Sequence, residues 1–271
     1  AEAAAAAAAA LGTDEAEAIA DAMLDDAAAE EDVALFLIGE GWSIGAILDF
    51  FEGRFGGMPD RLLGIYAKLL SRFQALLDAG SEWNAEYLRE AMRVVVLRVR
   101  QHLNPAIDDA KRVGDWLRTV AGLGWRKAAV LLAGAAYRTE DIARWLREDV
   151  GVSASAIVEL FRGKLAMTAA RVITVLRAAG YTTKTTVAAV ASAFGVTKAQ
   201  LATALREAGV DAKEAFAAMV DHYGVAAHAA IQDAMVASGY ALDQVRAAYE
   251  ALAETMLQMN EMRLAASSLG R

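Results

Sequence analysis

The chain has 271 residues, 56% of them hydrophobic, a net charge of −8 and no cysteine, so it can bury a large core but cannot use disulfides, thiolate metal sites or cysteine nucleophiles. The missing cysteines give no sign of an oxidising compartment, and a cytoplasmic location is the expectation. The longest apolar stretches, Ala128 to Tyr137 and Thr185 to Thr197, fall short of the roughly 18 residues read as a membrane span.

The sequence opens with unbroken alanine from Ala3 to Ala10, which has no basic region before it and does not read as a secretory signal. Helical units are expected next, with steps at Gly12-Thr13-Asp14, Ala27 to Glu31, Gly41-Trp42-Ser43 and Gly56-Gly57, about 14 to 15 residues apart. The layout has a physical reason. Glycine suits the left-handed residue that ends one helix, and Thr, Ser or Asp caps the next. This first region, 1–57, is acidic. Residues 1–53 hold thirteen acids and no lysine or arginine: Glu2, Asp14, Glu15, Glu17, Asp21, Asp25, Asp26, Glu30, Glu31, Asp32, Glu40, Asp49 and Glu52.

Between 58 and 121 the register is lost. Arg61 to Ala79 and Glu82 to Leu103 read as longer helices, and Asn104-Pro105 reads as a fresh cap with proline at the first helical position. With residues 1–53 at −13, the remainder carries +5, and its densest basic part lies here and just beyond. Arg89, Arg93, Arg98, Arg100, Lys111, Arg112, Arg118, Arg126 and Lys127 stand against Glu90, Asp108, Asp109 and Asp115.

From 122 to 271 the units are regular. Gly151, Gly180, Gly209 and Gly239 are 29, 29 and 30 apart, and Gly195 and Gly224 lie midway. The pattern extends upstream through Tyr137-Arg138-Thr139 to Gly124-Trp125. Each unit leaves ten to twelve residues for a helix, too short to be stable alone in water, so each depends on its neighbours for burial. Valine and isoleucine fall in helical spacings such as Val187, Val190 and Phe194, and no strand is expected. The expected fold is all-α: tandem short helices stacked as an α-solenoid-like array, with an irregular central segment, folded as one continuous unit.

The units GYTTKTTVAAVASAF, GVTKAQLATALREA and GYALDQVRAAYEALA resemble the short tandem helical repeats of some bacterial proteins, where GY or FG steps punctuate VAxAL-type helices. The resemblance covers roughly residues 12–57 and 122–252. It implies a scaffold and no chemistry. Ala191-x3-Gly195-Val196-Thr197-x3-Leu201 also looks like a helix-turn-helix signature, making a tandem nucleic-acid binder the alternative. The repeat itself accounts for that spacing, and the segment from Thr197 to Glu207 carries only Lys198 and Arg206 as cations. Leu11-Gly-Thr-Asp-Glu is similar to the start of an annexin repeat, but no calcium-binding pattern follows, and Thr13 reads as a helix cap.

No enzyme motif is found: there is no phosphate loop, no GxSxG and no HExxH. His222 and His228 are six apart and His102 is remote, so no metal or other cofactor is expected. Asp221-His222-Tyr223 reads as a helix end rather than acid-base machinery. The aromatics Trp42, Trp125, Tyr137, Tyr181 and Tyr240 read as fillers between small-residue helices. The expected function is a non-enzymatic scaffold for protein–protein contact, with other copies or a different protein as the partner. Its acidic end runs over Asp14, Glu15, Glu17, Asp21, Asp25, Asp26, Glu30, Glu31 and Asp32, and its basic middle over the nine cations named above.

Overall fold

The computed structural model describes residues 13–80, 83–103 and 110–269. The alanine run, Gly12, Glu82, Asn104-Pro105, Asp108 and Asp109 lie outside these residues. Among the described residues the chain forms fifteen α-helices and one 3₁₀ turn, with no strand. It divides into two compact units between Arg138 and Thr139.

The first unit holds α1 (Thr13–Asp25), α2 (Glu30–Gly39), α3 (Ile44–Phe55), α4 (Pro59–Asp78), α5 (Ala85–Leu103), α6 (Ala110–Thr119) and α7 (Trp125–Gly134). The long pair α4 and α5 forms its centre. Helices α2 and α3 pack on α4, α3 also packs on α5, and α6 and α7 pack on α5 from their side of the chain. Pro59 opens α4, where its missing N–H has no intrahelical partner to lose. Val33, Leu37, Leu48, Phe51, Leu62, Phe73, Val95, Val99, Leu117 and Leu132 are fully buried in this unit.

The second unit holds α8 (Thr139–Glu148), α9 (Ala154–Lys164), α10 (Ala169–Ala178), α11 (Thr183–Phe194), α12 (Lys198–Glu207), α13 (Ala212–Tyr223), α14 (His228–Ala237) and α15 (Leu242–Leu269), with the 3₁₀ turn Val225–Ala227 before α14. Each helix from α8 to α13 packs on the next but one. Buried side chains recur on matching faces: Leu146, Phe161, Leu176, Val190, Leu205, Met219 and Met235 are all fully enclosed.

The steps are built as the residue types require. Ser43, Ser153, Thr168, Thr182, Thr197 and Asp211 each accept from the backbone N–H three residues on, at 2.9 to 3.3 Å. Thr197 and Gln200 close a full capping box. On the other side of the step, Gly180 has φ +88° and Tyr181 N–H reaches back to the Leu176 carbonyl at 3.0 Å, the bond that ends a helix through a left-handed residue.

Three steps differ from what the residue pattern leads one to expect. Gly56 is right-handed, with φ −58°, and it is needed for another reason: a Cβ there would lie 2.5 Å from the Glu52 carbonyl oxygen. Before α7 the left-handed residue is Gly122, and Gly124 takes the cap position. A step at Ala166-Met167-Thr168 carries no glycine at all. Ala166 has φ +51°, and Ala27 and Ala136 sit in the same region at +61° and +62°.

Candidate functional site

The acidic segment folds against cations from later in its own unit. Arg54 of α3 bonds Asp21 and Asp25 of α1, and Lys68 of α4 donates to Glu30 at 2.7 Å with Arg61 at 3.7 Å from the same carboxylate. Burial acts to raise the Glu30 pKa, but the Lys68 hydrogen bond and the two positive charges outweigh it and hold the carboxyl below its ordinary value. Asp14, Glu15, Glu17, Asp26 and Asp32 remain exposed and make no ion pair among the described residues. Glu31 is half-buried, and its Oε2 has no hydrogen-bond partner.

The densest polar cluster lies where α3, α4 and α5 meet. Glu52 Oε1 accepts from the Tyr66 hydroxyl at 2.7 Å and lies 3.0 Å from His102 Nε2, while Oε2 accepts from Arg98 Nη1 at 2.7 Å. Arg98 uses its second nitrogen on Asp49 at 2.8 Å. Burial works to raise the Glu52 pKa, yet the bonds from His102 and Tyr66 and the Arg98 charge bring it below the usual carboxylate value. The Tyr66 ring is fully enclosed, and desolvation followed by its bond to Glu52 raises its hydroxyl pKa. This is a fully paired network in which each charged group already has an internal partner. Its arrangement fits a structural junction between helices, with His102 as a member despite its distance in sequence from the other histidines.

The nine basic candidates do not form one patch of free charge. Arg93 donates to Glu90 at 2.7 Å, Lys111 to Asp115 at 3.1 Å and Lys127 to Asp78 at 2.6 Å, and Arg98 belongs to the cluster just described. Arg126 lies over the Trp125 ring at 4.3 Å and Arg100 over the Tyr137 ring at 5.3 Å. Arg89, Arg112 and Arg118 make no ion pair among the described residues, and Arg89 and Arg112 are exposed.

In the second unit the polar side chains tie helices together. The Tyr181 hydroxyl donates to the Val152 carbonyl at 2.6 Å, and the Tyr240 hydroxyl to the Val210 carbonyl at 2.9 Å. Arg147 Nη1 donates to the Ala179 carbonyl at 2.7 Å with its guanidinium 5.3 Å from the Tyr181 ring, and Arg162 donates to the Ala193 carbonyl beside Phe194. These arginines satisfy carbonyls that the helix ends leave without partners. They sit in the last turns of α8 and α9, fifteen residues apart, a regularity that the glycine spacing alone does not bring out.

The two cations of the helix-turn-helix resemblance are also engaged. Lys198 lies 4.6 Å from the Tyr223 ring, and the Arg206 guanidinium packs 3.4 Å from where a Cβ on Gly239 would sit. His222 meets Tyr223 edge to face and His228 stacks on Tyr249. Asp221 pairs with Lys184 at 3.1 Å.

No group of three or more acidic or histidine side chains among the described residues is placed to hold a metal ion, and no helix there is long and apolar enough to cross a membrane. No protein-family model, curated protein or solved structure matches this chain.

Proposed function

We propose that the protein is a non-enzymatic helical-repeat scaffold that mediates protein–protein contact, with the second unit stacked as an α-solenoid-like array. The observation that carries the reading is the recurrence of two ties, a tyrosine hydroxyl bonded to an earlier carbonyl and an arginine bonded to a later one, each found twice. Tyr181 to Val152 spans 29 residues, Tyr240 to Val210 spans 30, Arg162 to Ala193 spans 31 and Arg147 to Ala179 spans 32. Next-but-one packing from α8 to α13 is what a stack of helix pairs requires. In such a molecule most polar side chains hold the scaffold, and contact falls to those left over.

The leftover charges are of both signs. Exposed Asp14, Glu15, Glu17, Asp26 and Asp32 at one end of the first unit's sequence complement exposed Arg89 and Arg112 in its middle, which favours association between copies. Sedimentation velocity at about 0.02 M and about 0.5 M salt tests this, because screening shortens the reach of exposed charges over that range. Self-association at the lower salt that disappears at the higher is the expected result. A monomer at high protein concentration in both rules out homotypic assembly.

A further inference from the structure

Trp42 stands at the step between α2 and α3, and its ring meets Phe50 edge to face with centroids 6.3 Å apart. These rings floor an open groove of about 530 Å³ whose rims carry Glu17 and Asp21 of α1 and Asp49 and Arg54 of α3. Six aromatics at or beside other steps hold a cation over the ring: Phe55 has Arg61 at 4.0 Å, Trp125 has Arg126 at 4.3 Å, Tyr137 has Arg100 at 5.3 Å, Tyr181 has Arg147 at 5.3 Å, Phe194 has Arg162 at 5.8 Å and Tyr223 has Lys198 at 4.6 Å, while Tyr240 instead uses its hydroxyl on the Val210 carbonyl. Among the described residues no cation lies over Trp42. Arg54 shares the groove but is held by Asp21 and Asp25, and residues 1–53 contain no lysine or arginine to fill the place. Glu17 makes no ion pair among the described residues, and Asp49 keeps a side chain 66% exposed while bonding Arg98.

We propose that this groove takes an arginine side chain from a second copy of the chain, its guanidinium laid on the Trp42 ring and hydrogen-bonded to Glu17 and Asp49. A planar guanidinium stacks on an aromatic face and offers several donors to flanking carboxylates, which suits this combination better than a compact ammonium. Five of those six rings have an arginine over them. Arg89 and Arg112, exposed and without an ion pair among the described residues, supply the complementary charge. The inference rests on the contact reading above and names its site.

The test combines low-salt sedimentation of the full chain with titration of a tetra-arginine peptide, followed through the indole N–H resonance of Trp42, with tetralysine as control. Support requires that tetra-arginine shifts that resonance more than tetralysine does and competes with self-association. It further requires that Glu17→Gln, a change at an exposed position, weakens self-association about fivefold, and Trp42→Leu or the pair Arg89→Gln and Arg112→Gln about tenfold or more. Circular dichroism confirms that each variant is folded. Self-association unchanged in Glu17→Gln overturns the groove and leaves the contact reading standing. A wild-type monomer whose Trp42 still responds to tetra-arginine overturns the second copy as occupant, together with homotypic assembly. No response of Trp42 to the peptide overturns the arginine site.

Discussion

The Tyr240 hydroxyl donates to the Val210 carbonyl at 2.9 Å, and thirty residues of chain separate the two groups. Tyr240 is only 8% exposed, and burial pushes its hydroxyl pKa up to about 12, so the group stays protonated and donating across the physiological range. Tyr240→Phe removes the donor and leaves the carbonyl short of a partner. The expected cost is about 1 kcal/mol in urea unfolding. Tyr181→Phe, at a half-buried position where water can replace the donor, is expected to cost less.

Glycine at the steps has two separable roles, and two substitutions divide them. Gly195 has φ +60°, and nothing lies within 4 Å of the point where an alanine methyl group would sit, so Gly195→Ala meets only backbone strain, about 1 kcal/mol. Gly180 has φ +88°, and a Cβ there would collide with Arg147 Nη1. Gly180→Ala therefore adds loss of the Arg147 bond to the strain, and a cost of about 2 kcal/mol or more is expected. Equal melting temperatures for the two variants would show that the arginine bond contributes nothing.

Thr186 is fully buried on α11, and its hydroxyl has no hydrogen-bond partner. Valine has nearly the same shape and no polar group to desolvate. Thr186→Val is expected to stabilise the fold by about 1 kcal/mol, measured as a higher urea midpoint with an unchanged slope.

Acid should loosen the first unit. The Glu30 and Glu52 carboxyls both titrate below their ordinary value of 4.5 in the folded chain. A depressed folded pKa contributes stability that is fully present above the unfolded value and is lost as pH falls through the folded one. Stability is therefore expected to fall as pH drops below 4.5, and Glu52→Gln should flatten that dependence while lowering stability at neutral pH. Chemical unfolding at several pH values between about 3 and 7 checks both effects.

The helical class and most steps were legible because glycine and a following Ser, Thr or Asp mark a helix junction by their own conformational and capping preferences. Ala166 escaped for the converse reason. Alanine at φ +51° leaves no trace in a residue pattern, since it is also the best helix former. Ala166→Gly is expected to stabilise by about 0.5 kcal/mol as strain relief exceeds the added unfolded-state freedom, readable as a small rise in melting temperature. The acidic segment was legible as a charge pattern, but its pairing was not. Arg54 meets Asp25 across 29 residues, Lys68 meets Glu30 across 38 and Arg98 meets Asp49 across 49, and helix packing rather than local spacing decides such partners.

The side-chain bonds that join helices in the second unit close loops of 29 to 37 residues, from Tyr181 with Val152 to Arg177 with Glu214. Short loops cost little chain entropy to close, so any neighbouring pair of helices can seed structure and the rest can add one at a time. Folding of this unit should then be fast and spread outward from whichever pair forms first, with partial unzipping from an end as its cheapest excursion.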